Sequence, residues 1–331
     1  MEQINFSHRS VLLDECIEGL AIRPDGIYVD GTAGGGGHSF AIASRLTTGR
    51  LIAIDQDEAA IAAASARLAP LGARATVVRD NFCRIADVCA SLGIAQIDGV
   101  LMDLGVSSYQ LDTAERGFSY QADAPLDMRM DRRSTKSAYT VVNEYSEEEL
   151  KRILFAYGEE KFAPRIAACI VAARADKPIR TTGELVDLIR AAIPVRARDD
   201  QHPAKRSFQA IRIEVNAELD VIAPAIESAA KLLRPGGRIA IITFHSLEDR
   251  IVKQTYTRLA TGCTCPRDFP VCVCGHKPTL ALTHRKPILP SAQELEENPR
   301  SRSAKLRIAE RVATEDDYSS DEQRHERSPR A

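Results

Sequence analysis

Apolar residues fall in short blocks through the first third of the chain, at 27–30, 51–55, 76–79 and 99–103. Each block is too short for a helix and is bounded by polar or glycine-rich stretches, as expected of buried strands. Between them, 39–46 and the alanine-rich 58–68 read as helices, and 87–92 as a third. The order βαβαβαβ predicts a parallel sheet with right-handed crossovers, and so an α/β fold. The pattern breaks after Asp103: residues near 105–138 are polar and rich in turn formers. From Ser146 to Glu218 the chain reads as mostly helical, with a capping-box start at Ser146-Glu147-Glu148-Glu149 and helical periods over 162–174, 182–192 and 208–225. A tight turn at 233–238 precedes an apolar strand at 239–244, and 280–283 and 305–309 are expected as a last antiparallel pair at one edge. The expected organisation is a discontinuous core over 1–138 and 219–312, a helical insertion over 139–218, and a disordered, charge-mixed tail over 313–331.

The first strand ends in Asp30 and runs into Gly31-Thr32-Ala33-Gly34-Gly35-Gly36-Gly37-His38. Strand, glycine turn, helix is the nucleotide-binding opening of a doubly wound sheet, because glycines let backbone N–H groups approach a ligand that a Cβ would push away. Ligands of such sheets lie beyond the carboxyl ends of the strands. Those ends present Asp30, then Asp55, placed to accept from ribose hydroxyls, then Asp80-Asn81-Phe82, where Phe82 could pack on an adenine ring, then Asp103. Each acid alone could be a helix cap or a turn residue. Together they favour a nucleoside ligand. The turn is wider than a G-x-G-x-x-G fingerprint, which suits an amino-acid tail better than a pyrophosphate and tips the reading to S-adenosylmethionine.

Net charge is −2, so a nucleic-acid partner would need local basic patches. Three occur: Arg129, Arg132, Arg133 and Lys136; Arg196, Arg198, Lys205, Arg206 and Arg212; Arg300, Arg302, Lys305 and Arg307. No apolar run approaches the length of a membrane span, and the N-terminus does not look like a secretory signal, so a cytoplasmic address is expected. Of eight cysteines, Cys16, Cys83, Cys89 and Cys169 sit among apolar residues as buried thiols. Cys263, Cys265, Cys272 and Cys274, with His276 beyond, form a tight group that suggests a metal before a disulfide. The C-x-C pairs are tighter than the usual knuckle, so structural zinc and a loop of reduced thiols both stay open, and neither puts the chemistry there.

Several long segments resemble the family of ribosomal RNA small subunit methyltransferase H, the 16S rRNA cytosine-N4 methyltransferases. They are Asp30-Gly31-Thr32 through Gly36-Gly37-His38-Ser39, Leu101-Met102-Asp103-Leu104-Gly105-Val106-Ser107-Ser108, Pro125-Leu126-Asp127-Met128-Arg129-Met130-Asp131, Phe208-Gln209-Ala210-Ile211-Arg212-Ile213, Phe244-His245-Ser246-Leu247-Glu248-Asp249-Arg250 and Asn298-Pro299-Arg300-Ser301-Arg302. The resemblance runs from about His8 to Arg311. It implies a Rossmann-like S-adenosylmethionine-dependent methyltransferase sheet with a helical insertion, and transfer to N4 of a cytidine in the decoding region of 16S rRNA, within the small ribosomal subunit. It also implies cofactor contacts at Gly36, Gly37, His38, Asp55, Phe82, Asp103 and Gln110. The chain departs from the family at Arg9-Ser10, where a proline is usual, and at Thr243, where a serine is common. Asp103-Leu104-Gly105-Val106 stands where many amino-methyltransferases carry Asp/Asn-Pro-Pro-aromatic, so Asp103 either positions the amine or only binds the cofactor.

Arg196, Arg206 and Arg212 are expected to hold RNA backbone, and His245 either contacts the cytidine or makes a structural hydrogen bond. Phe208 fits a core position better than a base-stacking one. No metal is expected in the reaction, and a homodimer stays open without a surface to assign to it. The rival readings are a DNA amino-methyltransferase, a nicotinamide-dependent dehydrogenase and a non-catalytic RNA-binding module.

Overall fold

The computed structural model describes residues 10–197, 202–263, 265, 266, 271 and 273–313. Arg198, Cys272 and the tail from residue 314 lie outside the described residues. Two compact units divide the chain, one drawn from within Met1–Gly105 and Asp220–Ala331, the other from Val106–Leu219.

Among the described residues the first unit carries one sheet of seven strands. They are β1 (Ile27–Asp30), β2 (Arg50–Asp55), β3 (Ala75–Arg79), β4 (Ile97–Asp103), β5 (Leu233–Thr243), β6 (Leu280–Leu282) and β7 (Lys305–Arg311), in the order β3-β2-β1-β4-β5-β7-β6. β1 to β5 are parallel, and β7 runs antiparallel between β5 and β6. The expected edge pair exists, with β7 also closing the ladder on β5. Helices α1 (Leu13–Leu20), α2 (Gly37–Ala43), α3 (Glu58–Leu68) and α4 (Ile85–Ser91) belong to this unit. The central strands are apolar on both faces, with Val29, Ile52, Ile54, Leu101, Ala240 and Ile242 fully buried, as a sheet covered on both sides requires.

The expected tight turn at 233–238 is taken into β5 as an interruption of the ladder. Ile97 pairs with Leu233 and Gly99 with Arg238, so residues 234–237 loop out, with Gly236 at φ +81. The apolar run 239–242 behind it keeps its pairing with β4.

The second unit holds α5 (Ser108–Asp112), α6 (Ala138–Glu144), α7 (Glu147–Gly158), α8 (Ala163–Asp176), α9 (Thr182–Ala192) and α10 (Lys205–Asn216). It begins at Val106, ahead of the expected 139. The polar stretch that hides this in sequence carries Phe118, Leu126, Met128 and Met130, all buried in the same core as Leu150, Ile166, Ile189 and Phe208. It is also stitched down by its backbone: Leu126 N–H donates to the Arg180 carbonyl at 3.1 Å, and Pro125 bridges Thr181. The helix expected over 208–225 is two helices. α10 stops at Ala217, which takes a left-handed φ of +49, and α11 (Ile222–Leu232) starts in the first unit. α12 (Ser246–Ala260) and α13 (Ala292–Glu297) complete the first unit's described helices.

Asn216, in the last turn of α10, explains why the preceding strap stays in place. Its Oδ1 accepts from Met130 N–H at 2.7 Å, and its Nδ2 donates to the Met128 and Arg212 carbonyls at 2.8 and 2.9 Å. Asn216→Ala would strand the Met128 carbonyl and the Met130 N–H, Met130 itself being buried at 6% exposure. The expected loss of stability is ~2–3 kcal/mol, about 1 kcal/mol for each bond. An unchanged urea midpoint would show that the strap needs no such anchor.

Candidate active site

The register of three strands builds the site. Asp30, the last residue of β1, pairs with Ala53 of β2 and Leu101 of β4. Both neighbours run two residues further, to Asp55 and Asp103. A two-residue step returns to the same face of a strand, so three aspartates gather around the notch where β1 stops short. The glycine turn crosses that notch. Gly31 is closely packed, since a Cβ there would lie 3.0 Å from the Phe82 Cβ and 3.3 Å from the Met102 Cγ. Gly34, at φ +50, turns its N–H onto the Asp55 Oδ2 at 2.8 Å and has open space beside it, the nearest atom to a built Cβ being 3.9 Å away.

Each acid has a distinct environment. Asp30 is fully buried and accepts from Ser39 Oγ at 2.6 Å and Thr32 N–H at 3.1 Å. Burial raises its pKa, an effect that neighbouring His38 and the two hydrogen bonds oppose. Asp55 accepts from Gly34 N–H and, at 2.9 Å, from Asp57 N–H, yet burial pushes its pKa up to about 6. Asp103 is tied by its own N–H to Thr32 Oγ1 at 2.6 Å. A quarter of its side chain stays accessible, while its Oδ1 is buried and has no hydrogen-bond partner among the described residues. Burial, then Asp30 and Glu248, raise the Asp103 pKa well above the ordinary carboxylate range.

His38 opens α2 and is 5% exposed. Its Nε2 lies 2.9 Å from the Val11 carbonyl, which requires the proton on that nitrogen. Burial lowers its pKa, although Asp30 pulls the other way. Nδ1 stands 3.8 Å from the Asp103 Oδ2. With a neutral ring at that distance the pair is a contact and not an ion pair.

His245 caps α12. Its Nδ1 accepts from Glu248 N–H at 3.5 Å, while Glu248 Oε2 accepts from Phe244 and His245 N–H groups at 2.8 and 3.2 Å. The structural hydrogen bond expected as one of its two roles is therefore present. Nδ1 as acceptor leaves the proton on Nε2, 3.1 Å from Glu248 Oε1 but too poorly aligned to count as a hydrogen bond. Glu248, 1% exposed, is a fourth acid that strand-end reasoning missed. Its signal was the glutamate at the third helical position after a capping residue, as in a capping box.

Gly36, Gly37, His38, Asp55, Phe82 and Asp103 all belong to the first unit. Phe82 follows β3 and packs over Gly31. Gln110, Arg196, Arg206 and Arg212 belong to the second unit. Gln110 is 5% exposed and completes a capping box with Ser107, its Oε1 accepting Ser107 N–H at 2.9 Å. Arg196 is exposed and Arg206 half-buried on α10. Arg212 grips Glu218 through Nε and Nη2 at 2.8 and 2.9 Å with 15% of its side chain exposed, so a phosphate would have to displace that carboxylate. Phe208 is a core residue, 3% exposed, with the Tyr120 ring edge-on at 5.8 Å. Among the described residues no helix is long and apolar enough to cross a membrane.

The acids suit a donor-rich, positively charged ligand and disfavour a pyrophosphate, which answers the dehydrogenase reading. Asp55 fits a ribose diol, the open glycine turn an amino-acid tail, and the orphaned Asp103 oxygen a donor brought by a ligand. With the strand order and the antiparallel β7, this site defines a Rossmann-like methyltransferase that uses S-adenosylmethionine. The chain belongs to the MraW methylase family, whose model matches residues 5–312. It is 58% identical over 314 residues to the ribosomal RNA small subunit methyltransferase H of Brevibacillus brevis, covering 94% of this chain and 100% of that one. It is 59% identical over 311 residues to the ribosomal RNA small subunit methyltransferase H 2 of Agathobacter rectalis, covering 93% and 99%.

A role for Asp55 at the ribose predicts pH-dependent cofactor binding. The ionised carboxylate is the form that accepts hydroxyl donors, so binding lowers its pKa from about 6. Affinity is then complete above that pH and declines as the pH falls through it, at most about tenfold per pH unit. Calorimetry with S-adenosylmethionine between about pH 5 and about pH 8 should show this decline, absent in Asp55→Asn. A flat wild-type profile would remove Asp55 from the contact.

Proposed function

We propose that this chain methylates the N4 amino group of a cytidine in the decoding region of 16S rRNA, with the small ribosomal subunit or an assembly intermediate as its substrate. The reading is carried by the Asp103 carboxyl group, with one buried oxygen lacking a partner among the described residues and a quarter of the side chain accessible. An exocyclic amine is a weak nucleophile because its lone pair is delocalised into the ring. A carboxylate that accepts one of its N–H bonds orients the amine and holds its lone pair toward the reacting carbon. The bound cofactor supplies an already activated methyl group on a sulfonium.

Asp103 then takes the proton that the nitrogen loses when it gains a methyl. A carboxyl group whose pKa is raised is the better base for this, because proton affinity and donor function reside in one residue. Thr32 holds the Asp103 backbone, and neutral His38 keeps the other side of the carboxylate free of a competing cation. The aromatic missing from the Asp103-Leu104-Gly105-Val106 sequence has a counterpart from β5. Phe244 lies 3.7 Å from where a Gly105 Cβ would be.

The second unit serves as the RNA-recognition element, with Arg196 and Arg206 on the phosphate backbone. Arg212, held by Glu218, is assigned to stability. The target base must be single-stranded or turned out of its stack to reach a buried carboxylate.

The deciding experiment maps 16S rRNA methylation by mass spectrometry in cells lacking this protein, then rescues them with wild type or Asp103→Asn. Wild type should restore one N4-methyl group on a decoding-region cytidine. Asp103→Asn should bind cofactor and lose ~10²–10⁴-fold in transfer rate. Full rescue by the variant would confine Asp103 to binding, and an unchanged methylation map in the deletion strain would remove the substrate assignment.

A further inference from the structure

We propose that Cys263, Cys265 and Cys274 form a structural zinc site in the connection between α12 and β6. The three sulfur atoms lie within 4.8 Å of one another. Cys263 and Cys274 Sγ atoms stand 3.7 Å apart. A disulfide would need about 2.0 Å. Sulfurs at about 2.3 Å from a tetrahedral zinc are about 3.8 Å from each other. The pair already has the edge length of such a tetrahedron.

Two features support a thiolate cluster. Val273 N–H donates to the Cys265 Sγ at 3.4 Å, which fixes the direction of that sulfur. The donors also come from both limbs of one loop, two from its start and one from its end, so a single ion would cross-link it. The loop needs such a link. Its base is closed by Thr279 N–H on the Leu259 carbonyl at 2.8 Å. Beyond that, Val271 and Val273 are 70% and 75% exposed, so apolar burial does little for order here.

The donor chemistry selects the metal. Three soft sulfurs exclude magnesium and calcium, which take oxygen ligands. Zinc accepts three thiolates and takes water or a further donor in the remaining position. Binding releases the thiol protons, so uptake strengthens as pH rises. The proposed transfer chemistry uses none of these sulfurs, so their fate does not decide the proposed reaction.

The full-length protein, purified under reductant, is expected to hold about one zinc per chain by elemental analysis. After chelation, titration with cobalt(II) should give sulfur-to-cobalt charge-transfer bands and the visible bands of a tetrahedral site. The Cys263→Ser, Cys274→Ser double variant should lose both signals while binding S-adenosylmethionine as before. Folded wild-type protein that takes up neither metal would overturn the proposal, as would a double variant that keeps full stoichiometry. The cobalt spectrum of the wild type decides the matter even if the variant fails to fold.

Discussion

Everything around the notch depends on taking water away from carboxylates that the register brings together. Asp30, Asp55 and Asp103 are placed by two-residue steps on parallel strands, and no side-chain rotation could separate them widely. For two of them the desolvation is offset by hydrogen bonds: Thr32 N–H and the Ser39 hydroxyl on Asp30, and Gly34 and Asp57 N–H on Asp55. The glycines follow from this. The turn must pass close enough to the strand ends for its amides to reach the acids, and a Cβ at Gly31 would be pressed against Phe82.

The same burial makes the site selective for charge. Asp55 and Asp103 hold their protons more tightly than exposed carboxylates do, and His38 holds its proton less tightly than an exposed imidazole does. Burial thus works against charge on all three of these side chains. A cation such as a sulfonium restores the ionised acids and gains their attraction in a medium that screens poorly. An anion gains nothing. On the proposed reading, a preference for a cationic nucleoside over a dinucleotide follows from the desolvation of these side chains.

Much of this was legible from the chain itself. Each of the first four strand positions, and the acid that ends three of them, follows from short apolar blocks closed by Asp. The parallel order follows from the alternating helices. Asp55 and Asp103 were reached from strand ends alone, because position on a parallel sheet is a property of the sequence. What escaped depends on contacts distant in the chain. Glu248 enters the site only because β5 lies beside β4. The orientation of His38 depends on the Val11 carbonyl, from a segment with no pattern of its own. The start of the second unit was hidden because its strap from Phe118 to Met130 is buried without helical or strand periodicity. The contacts of Asn216, beside the break at Ala217, were hidden because they reach back to residues 128–130 across most of the unit.

The basic patches show the limit of reading function from composition. Arg129 is held by Asp127, Arg133 by Asp131, Lys136 by Glu214, and Arg307 by Asp249. A cation with a carboxylate already in its fork contributes little to attraction at distance and must give up that partner before it meets a phosphate. Three clusters that look alike in sequence therefore differ in what they offer. Within the second, Arg212 is spent on Glu218 while Arg196 is exposed. Under the proposed function, affinity for RNA then rests on few phosphate contacts and on the fit of a flipped base beside Asp103. Such a balance favours recognition of a folded ribosomal substrate by shape over retention of any passing polyanion.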